Sequence, residues 1–75
     1  MPTYFRSGNV LVQLYNGDHN PPHVHIVAPS GNSAILLSDL STLRGDVSRH
    51  DYELAMGWIR ANIEYLRSEW DRLNG

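Results

Sequence analysis

Apolar and polar positions alternate most clearly along residues 10–15. Val10, Val12 and Leu14 share one face, and Leu11, Gln13 and Tyr15 share the other. Alternation with a period of two, carried by β-branched and aromatic residues, predicts a half-buried strand. Residues 3–6 predict a shorter first strand, closed by the turn chemistry of Ser7-Gly8-Asn9. Residues 23–28, His-Val-His-Ile-Val-Ala, predict a third strand, antiparallel to the second across a long connection. Side chains two apart on a strand share a face about 6–7 Å from each other. Val24, Ile26 and Ala28 therefore point to the core, and His23 and His25 point together to the other side. Pro29-Ser30-Gly31-Asn32 reads as a turn, and residues 33–37 as a fourth strand. Thr42-Leu43-Arg44 is a candidate edge strand that Gly45-Asp46 ends.

After residue 47 the apolar period changes from two to 3.6. Ser48 is a candidate N-cap with Asp51 at the third helical position, a capping box with Asp in place of Glu. Tyr52, Ala55, Met56, Ile59, Ile63, Leu66, Trp70 and Leu73 form one stripe, and Asn74-Gly75 is a natural stop. A second apolar set, Leu54, Trp58, Ala61 and Tyr65, lies roughly opposite. So wide an arc exceeds what one small sheet covers. Leu54, Trp58, Ala61 and Tyr65 are therefore read as a partner surface, most simply that of a homodimer. The plainer alternative is a helix set deep against a curved sheet. The expected fold is a single α+β domain over residues 1–75. It has an antiparallel sheet of three to four strands, within about residues 3–47, and one long C-terminal helix, about residues 48–73, packed on one face.

Composition narrows this picture. A chain of 75 residues has room for one domain, and a single core of that size rarely supplies more than about 3–5 kcal/mol without a staple. There is no cysteine, so the available staples are a partner chain, a metal held by histidine and carboxylate, or unusually good packing. The net charge is −2 and all six basic residues are arginines. That balance weighs against general duplex binding, so nucleic acid is not the favoured partner. No basic and apolar leader opens the chain and no apolar run approaches membrane-spanning length, so a cytoplasmic protein is expected.

Candidate chemistry concentrates in Asp18-His19-Asn20-Pro21-Pro22-His23-Val24-His25. This block holds three of the four histidines and two of the four prolines. Pro21 and Pro22 fix their own φ angles and restrict the residue before each, so they stiffen the lead into the third strand. Three readings stand side by side. Asp18, His19, His23 and His25 supply the ligand count of a tetrahedral site for zinc or another divalent ion. Alternatively, two of His19, His23 and His25 take and give protons while Arg6 or Arg44 steadies a phosphate, as in metal-free ribonuclease chemistry. The third reading is purely structural, with the histidines stapling a proline-rich connection by hydrogen bonds. His50, in the first helical turn, reads as a solvated residue. No phosphate-binding glycine loop, nucleophile elbow or dinucleotide fingerprint is present.

The opening Met1-Pro2-Thr3, the D-H-N-P-P-H-V-H block, the Gly45-Asp46 step before the helix and Trp70 near its end together resemble a short bacterial family, domain of unknown function 4160. The resemblance covers essentially the whole chain, and its acidic-histidine block falls on Asp18, His19, Pro21, Pro22, His23 and His25. It brings no established activity. It implies a small intracellular protein, often encoded beside toxin–antitoxin modules, that acts by binding a protein or nucleic acid. The basic stretch common early in that family's helix is reduced here to Arg49 and His50, which weighs against nucleic acid. The expected function is thus a toxin–antitoxin-associated binding module, with the loop as a metal or recognition site. The alternative is a small endoribonuclease-like enzyme.

Overall fold

In the computed structural model, which describes residues 3–15 and 17–74, the alternating segments form five strands. These are β1 (Thr3–Ser7), β2 (Val10–Gln13), β3 (His23–Ala28), β4 (Gly31–Leu36) and β5 (Thr42–Gly45). Each pairs antiparallel with the next, in the order β1-β2-β3-β4-β5. The expected three to four strands are corrected to five, because both edge candidates join the sheet. β1 joins through a tight turn after Ser7, where Gly8 takes φ +58°, a value glycine adopts without steric cost. β5 joins although all four of its residues are exposed, so its pairing rests on backbone hydrogen bonds to β4 rather than on an apolar face.

The single helix expected over about residues 48–73 is also corrected. Two helices follow the sheet, α1 (Arg49–Ala61) and α2 (Ile63–Asn74). Ser48 caps α1 as its pattern predicts, accepting the Asp51 N–H at 3.3 Å. The break falls at Asn62, whose φ of −124° and ψ of 24° leave the helical region. Asparagine favours such points because its side chain competes for backbone partners. Here the Asn62 amide donates to the Trp58 carbonyl at 2.9 Å, and its backbone N–H reaches the carbonyls of both Trp58 and Ile59 at 3.1 Å.

Both helices contribute to one core on one face of the sheet. Val12, Leu14, Val24, Ile26, Ile35 and Leu37 meet Ala55, Met56, Ile59, Leu66 and Trp70, all buried. The wide apolar arc is partly explained by β1. Phe5 stacks on Trp58 with centroids 5.3 Å apart, and Tyr4 meets Tyr65 edge-on at 5.7 Å. Leu54, Ala61 and Tyr65 nevertheless remain exposed. No helix among the described residues is long and apolar enough to cross a membrane.

Strand alternation puts a different set of residues on the opposite face. Gln13 lies opposite His25, His25 opposite Ala34, and Ala34 opposite Arg44, forming one row across four strands. Arg6, opposite Leu11, belongs to the neighbouring row.

One polar staple ties β1 to α2. The Tyr4 hydroxyl donates to Glu69 at 2.8 Å, and Arg72 donates to both Glu69 oxygens at 2.8 and 3.1 Å. The hydrogen bonds from Arg72 and then Tyr4 hold the Glu69 carboxyl down to about 2, from its ordinary 4.5. A carboxylate with a lower pKa folded than unfolded supports the fold above its unfolded pKa, and that support fades as it protonates. Thermal melts taken from pH 4.5 down to 2 should show a progressive loss of stability, shallower in Glu69→Gln. Parallel pH profiles for the two proteins would show that Glu69 does not carry the effect.

Candidate functional site

The site is assembled from the β2–β3 loop, the start of β3 and the end of α2. Asn74, at the end of α2, grips the loop on both sides: its amide donates to the Tyr15 carbonyl at 3.2 Å, and its oxygen accepts the Asp18 N–H at 2.9 Å. Farther along, the Pro22 carbonyl accepts the Leu37 N–H at 3.0 Å. The Asn20–Pro21 peptide between these anchors is cis. With the loop held at both ends, Asp18 lies against the face of β3 that carries His23 and His25.

One carboxylate atom is the meeting point. Asp18 Oδ1 accepts the His19 N–H at 2.9 Å, leaving Oδ2 turned to the rings. Oδ2 stands 2.8 Å from His25 Nε2 and 3.1 Å from His23 Nε2. The two imidazoles sit edge-to-face with centroids 4.8 Å apart. Aromatic walls confine them, Trp70 against His23 at 5.4 Å and Tyr15 against His25 at 4.3 Å. His23 is buried, whereas His25 and Asp18 keep partial access to solvent.

Hydrogen positions here are assigned from the hydrogen-bond network. His23 Nδ1 lies 2.8 Å from the Pro21 carbonyl oxygen. A carbonyl only accepts, so this nitrogen carries the hydrogen, and in a neutral ring Nε2 is then a bare lone pair. That lone pair faces a carboxylate oxygen. Two acceptors at 3.1 Å repel unless a cation, or a second proton on His23, lies between them. A histidine whose outer nitrogen donates to a backbone carbonyl while the inner one points at a shared centre has the usual arrangement of a metal ligand.

Burial pushes the Asp18 carboxyl up. The hydrogen bonds from His25 and the His19 N–H, with the charges of His23 and His25, outweigh burial, so the net displacement is downward. Asp18 is thus held as the anion, the form that ligates metal.

Asp18, His23 and His25 each offer one ligand atom, all within 4.8 Å of one another. Ligand atoms around a tetrahedral zinc at about 2.0–2.1 Å stand about 3.3–3.5 Å apart, so the Asp18 contacts, at 2.8 and 3.1 Å, need open by about 0.2–0.7 Å.

The other sequence candidates lie elsewhere. The exposed His19 stays outside this group and contributes only its backbone N–H. Arg6 and Arg44 are exposed at opposite edge strands, and Arg44 lines a concavity that His25 also borders. His50 is exposed at the start of α1, with Nδ1 3.2 Å from Asp51. Sequence reasoning did not assign Tyr15, Trp70 or Asn74 to the site. Trp70 reads as core and Asn74 as a helix stop, and no local spacing links Asn74 to a loop 56 residues earlier.

Fold and site together define a small α+β domain with a two-histidine, one-carboxylate cluster at the junction of sheet and helix. The chain belongs to the family described as Domain of unknown function (DUF4160), whose model matches residues 9–71. No curated protein and no solved structure matches it.

Proposed function

We propose that the domain is a divalent-metal-binding module in which Asp18 Oδ2, His23 Nε2 and His25 Nε2 are the protein ligands. The observation carrying this reading is the position of His23, which donates from Nδ1 to Pro21 and faces Asp18 with Nε2. Three protein ligands leave at least one position for water or a bound molecule, as in open rather than closed zinc sites. Two imidazoles and a carboxylate suit zinc, and equally the other first-row divalent ions that accept nitrogen and oxygen.

The acid–base alternative is less well supported. Both histidine Nε2 atoms turn toward Asp18, and of the loop histidines only His25 shares a concavity with an arginine, Arg44. In this reading the metal is also the staple that a small cysteine-free core calls for, because metal bound only by the folded state adds directly to stability. A toxin–antitoxin setting and a dimer across Leu54, Trp58, Ala61 and Tyr65 are extensions of the proposal. The exposure of Leu54 and Tyr65 supports the second of these.

Calorimetric titration of chelator-stripped protein with zinc, cobalt(II) and manganese(II) tests the reading. One equivalent of at least one ion should bind per chain. At a free ion concentration near 100 times Kd the fold gains about 2.7 kcal/mol. For a domain of this size each kcal/mol is worth about 4–8 °C in Tm, so a rise above 10 °C is expected, reversed by chelator. Absence of binding heat together with an unchanged melting curve for all three ions would sink the proposal.

A further inference from the structure

The arginines are sorted by face. Arg60, Arg67 and Arg72, all on the helices, pair with Glu53, Glu64 and Glu69. Among the described residues, Arg6, Arg44 and Arg49 have no carboxylate partner within 4.0 Å. Of these three, Arg44 lines an open concavity that His25 also borders. This concavity of about 570 Å³ lies over the sheet face opposite the core, and Arg44 lines it together with Tyr15, His25, Asn32, Ala34 and Asp46. Its shape follows from the row Gln13–His25–Ala34–Arg44. His25 and Arg44 flank the buried Ala34 in that row, and Gly45 completes the lining on β5.

From this arrangement we infer that the concavity is a binding site for a small phosphate ester of nucleotide size. The inference rests on the metal reading only at its His25 end. Arg44 is the single permanent cation in the lining, and a guanidinium fork matches phosphate oxygens in paired hydrogen bonds. Asp46, two residues on, disfavours a bare multivalent anion at that end. With one oxygen already accepting the Asn32 N–H at 3.1 Å, it keeps acceptor capacity for a hydroxyl beside the phosphate. At the far end the ring of Tyr15 offers an apolar wall for a planar group. Two strand spacings separate His25 from Arg44, about 10 Å, which is the reach from the phosphate to the base of a nucleoside monophosphate. The volume falls within the range of small-molecule pockets, about 300–1,000 Å³. With a net charge of −2 on the chain, a long polyanion is not the ligand this face suits.

Amide NMR titration with adenosine 5′-monophosphate tests the site, with adenosine, inorganic phosphate and a single-stranded octaribonucleotide as comparators, each run with zinc and with chelator. Saturable shifts are expected at Asn32, Ala34 and Gly45, with the monophosphate binding at least 10-fold more tightly than adenosine or phosphate. Arg44→Ala should weaken it at least 10-fold without altering zinc binding, and since Arg44 is exposed its loss should leave the melting temperature in place. Nucleotide binding without zinc binding would uphold the pocket while removing the metal. Zinc binding without nucleotide shifts would do the reverse. Affinity unchanged in Arg44→Ala, or an octamer bound more than 10-fold more tightly than the monophosphate, would overturn the small-ligand assignment.

Discussion

Trp70→Ala should leave the metal-free chain largely unfolded at 25 °C. Trp70 is 4 % exposed and joins the two parts of the molecule that matter most, the helix side of the core and the buried His23 ring. Truncating a buried tryptophan to alanine costs about 3–5 kcal/mol, from lost transfer energy and the cavity left behind. A single core in a domain this small supplies about the same amount. The two nearly cancel, so the folded fraction collapses rather than slipping by a few degrees. Trp70→Phe retains an aromatic ring against His23 and should melt between the wild type and the alanine variant. Urea titration followed by far-ultraviolet circular dichroism distinguishes the cases. An alanine variant with a midpoint close to wild type would mean that the core does not depend on α2 as described. Saturating zinc should return part of the lost stability, about 2.7 kcal/mol at 100 times Kd, provided His23 keeps its place without the indole wall.

What could be read from the chain beforehand divides along physical lines. The face shared by His23 and His25 was legible because strand alternation has a strict period of two, and Asp18 Oδ2 reaches both rings. The sheet-facing stripe of the helices was legible for the same kind of reason. Ala55, Met56, Ile59, Leu66 and Trp70 are all buried, and Ser48 caps where its pattern says. The helix break was hidden because the apolar stripe runs on through Ile59, Ile63 and Leu66, and one asparagine leaves no mark on periodicity. β5 was obscure because four exposed residues carry no burial pattern. His19 has a ligand-like spacing from His23, but spacing along an irregular loop fixes no direction. The closeness of Asp18 to the rings depends on Asn74, whose grip on the loop is a tertiary contact with no local signature.

Asp18→Asn should separate metal affinity from folding, because the two readings of His23 demand opposite outcomes. Asparagine has nearly the same shape as aspartate, and its groups suit the metal-free site well. Its carbonyl can take the His19 N–H that Oδ1 now accepts, placing the amide nitrogen where Oδ2 sits, 2.8 and 3.1 Å from the two Nε2 atoms. One amide hydrogen facing the His23 lone pair removes the present conflict of acceptors, and the second can meet His25 once that neutral ring carries its hydrogen on Nδ1 instead of Nε2. The metal-free variant should therefore melt at or above the wild-type temperature. Its affinity for zinc should fall by more than about 100-fold, beyond the 10–100-fold that loss of a mere supporting partner costs. If His23 is instead an imidazolium neutralised by Asp18, the same substitution strips a buried charge of its counter-ion, which costs about 3–5 kcal/mol. In that case the variant melts far below wild type whether or not metal is present. Paired melting curves of the two proteins, each with chelator and with zinc, decide between a cation between Asp18 and His23 and a proton there.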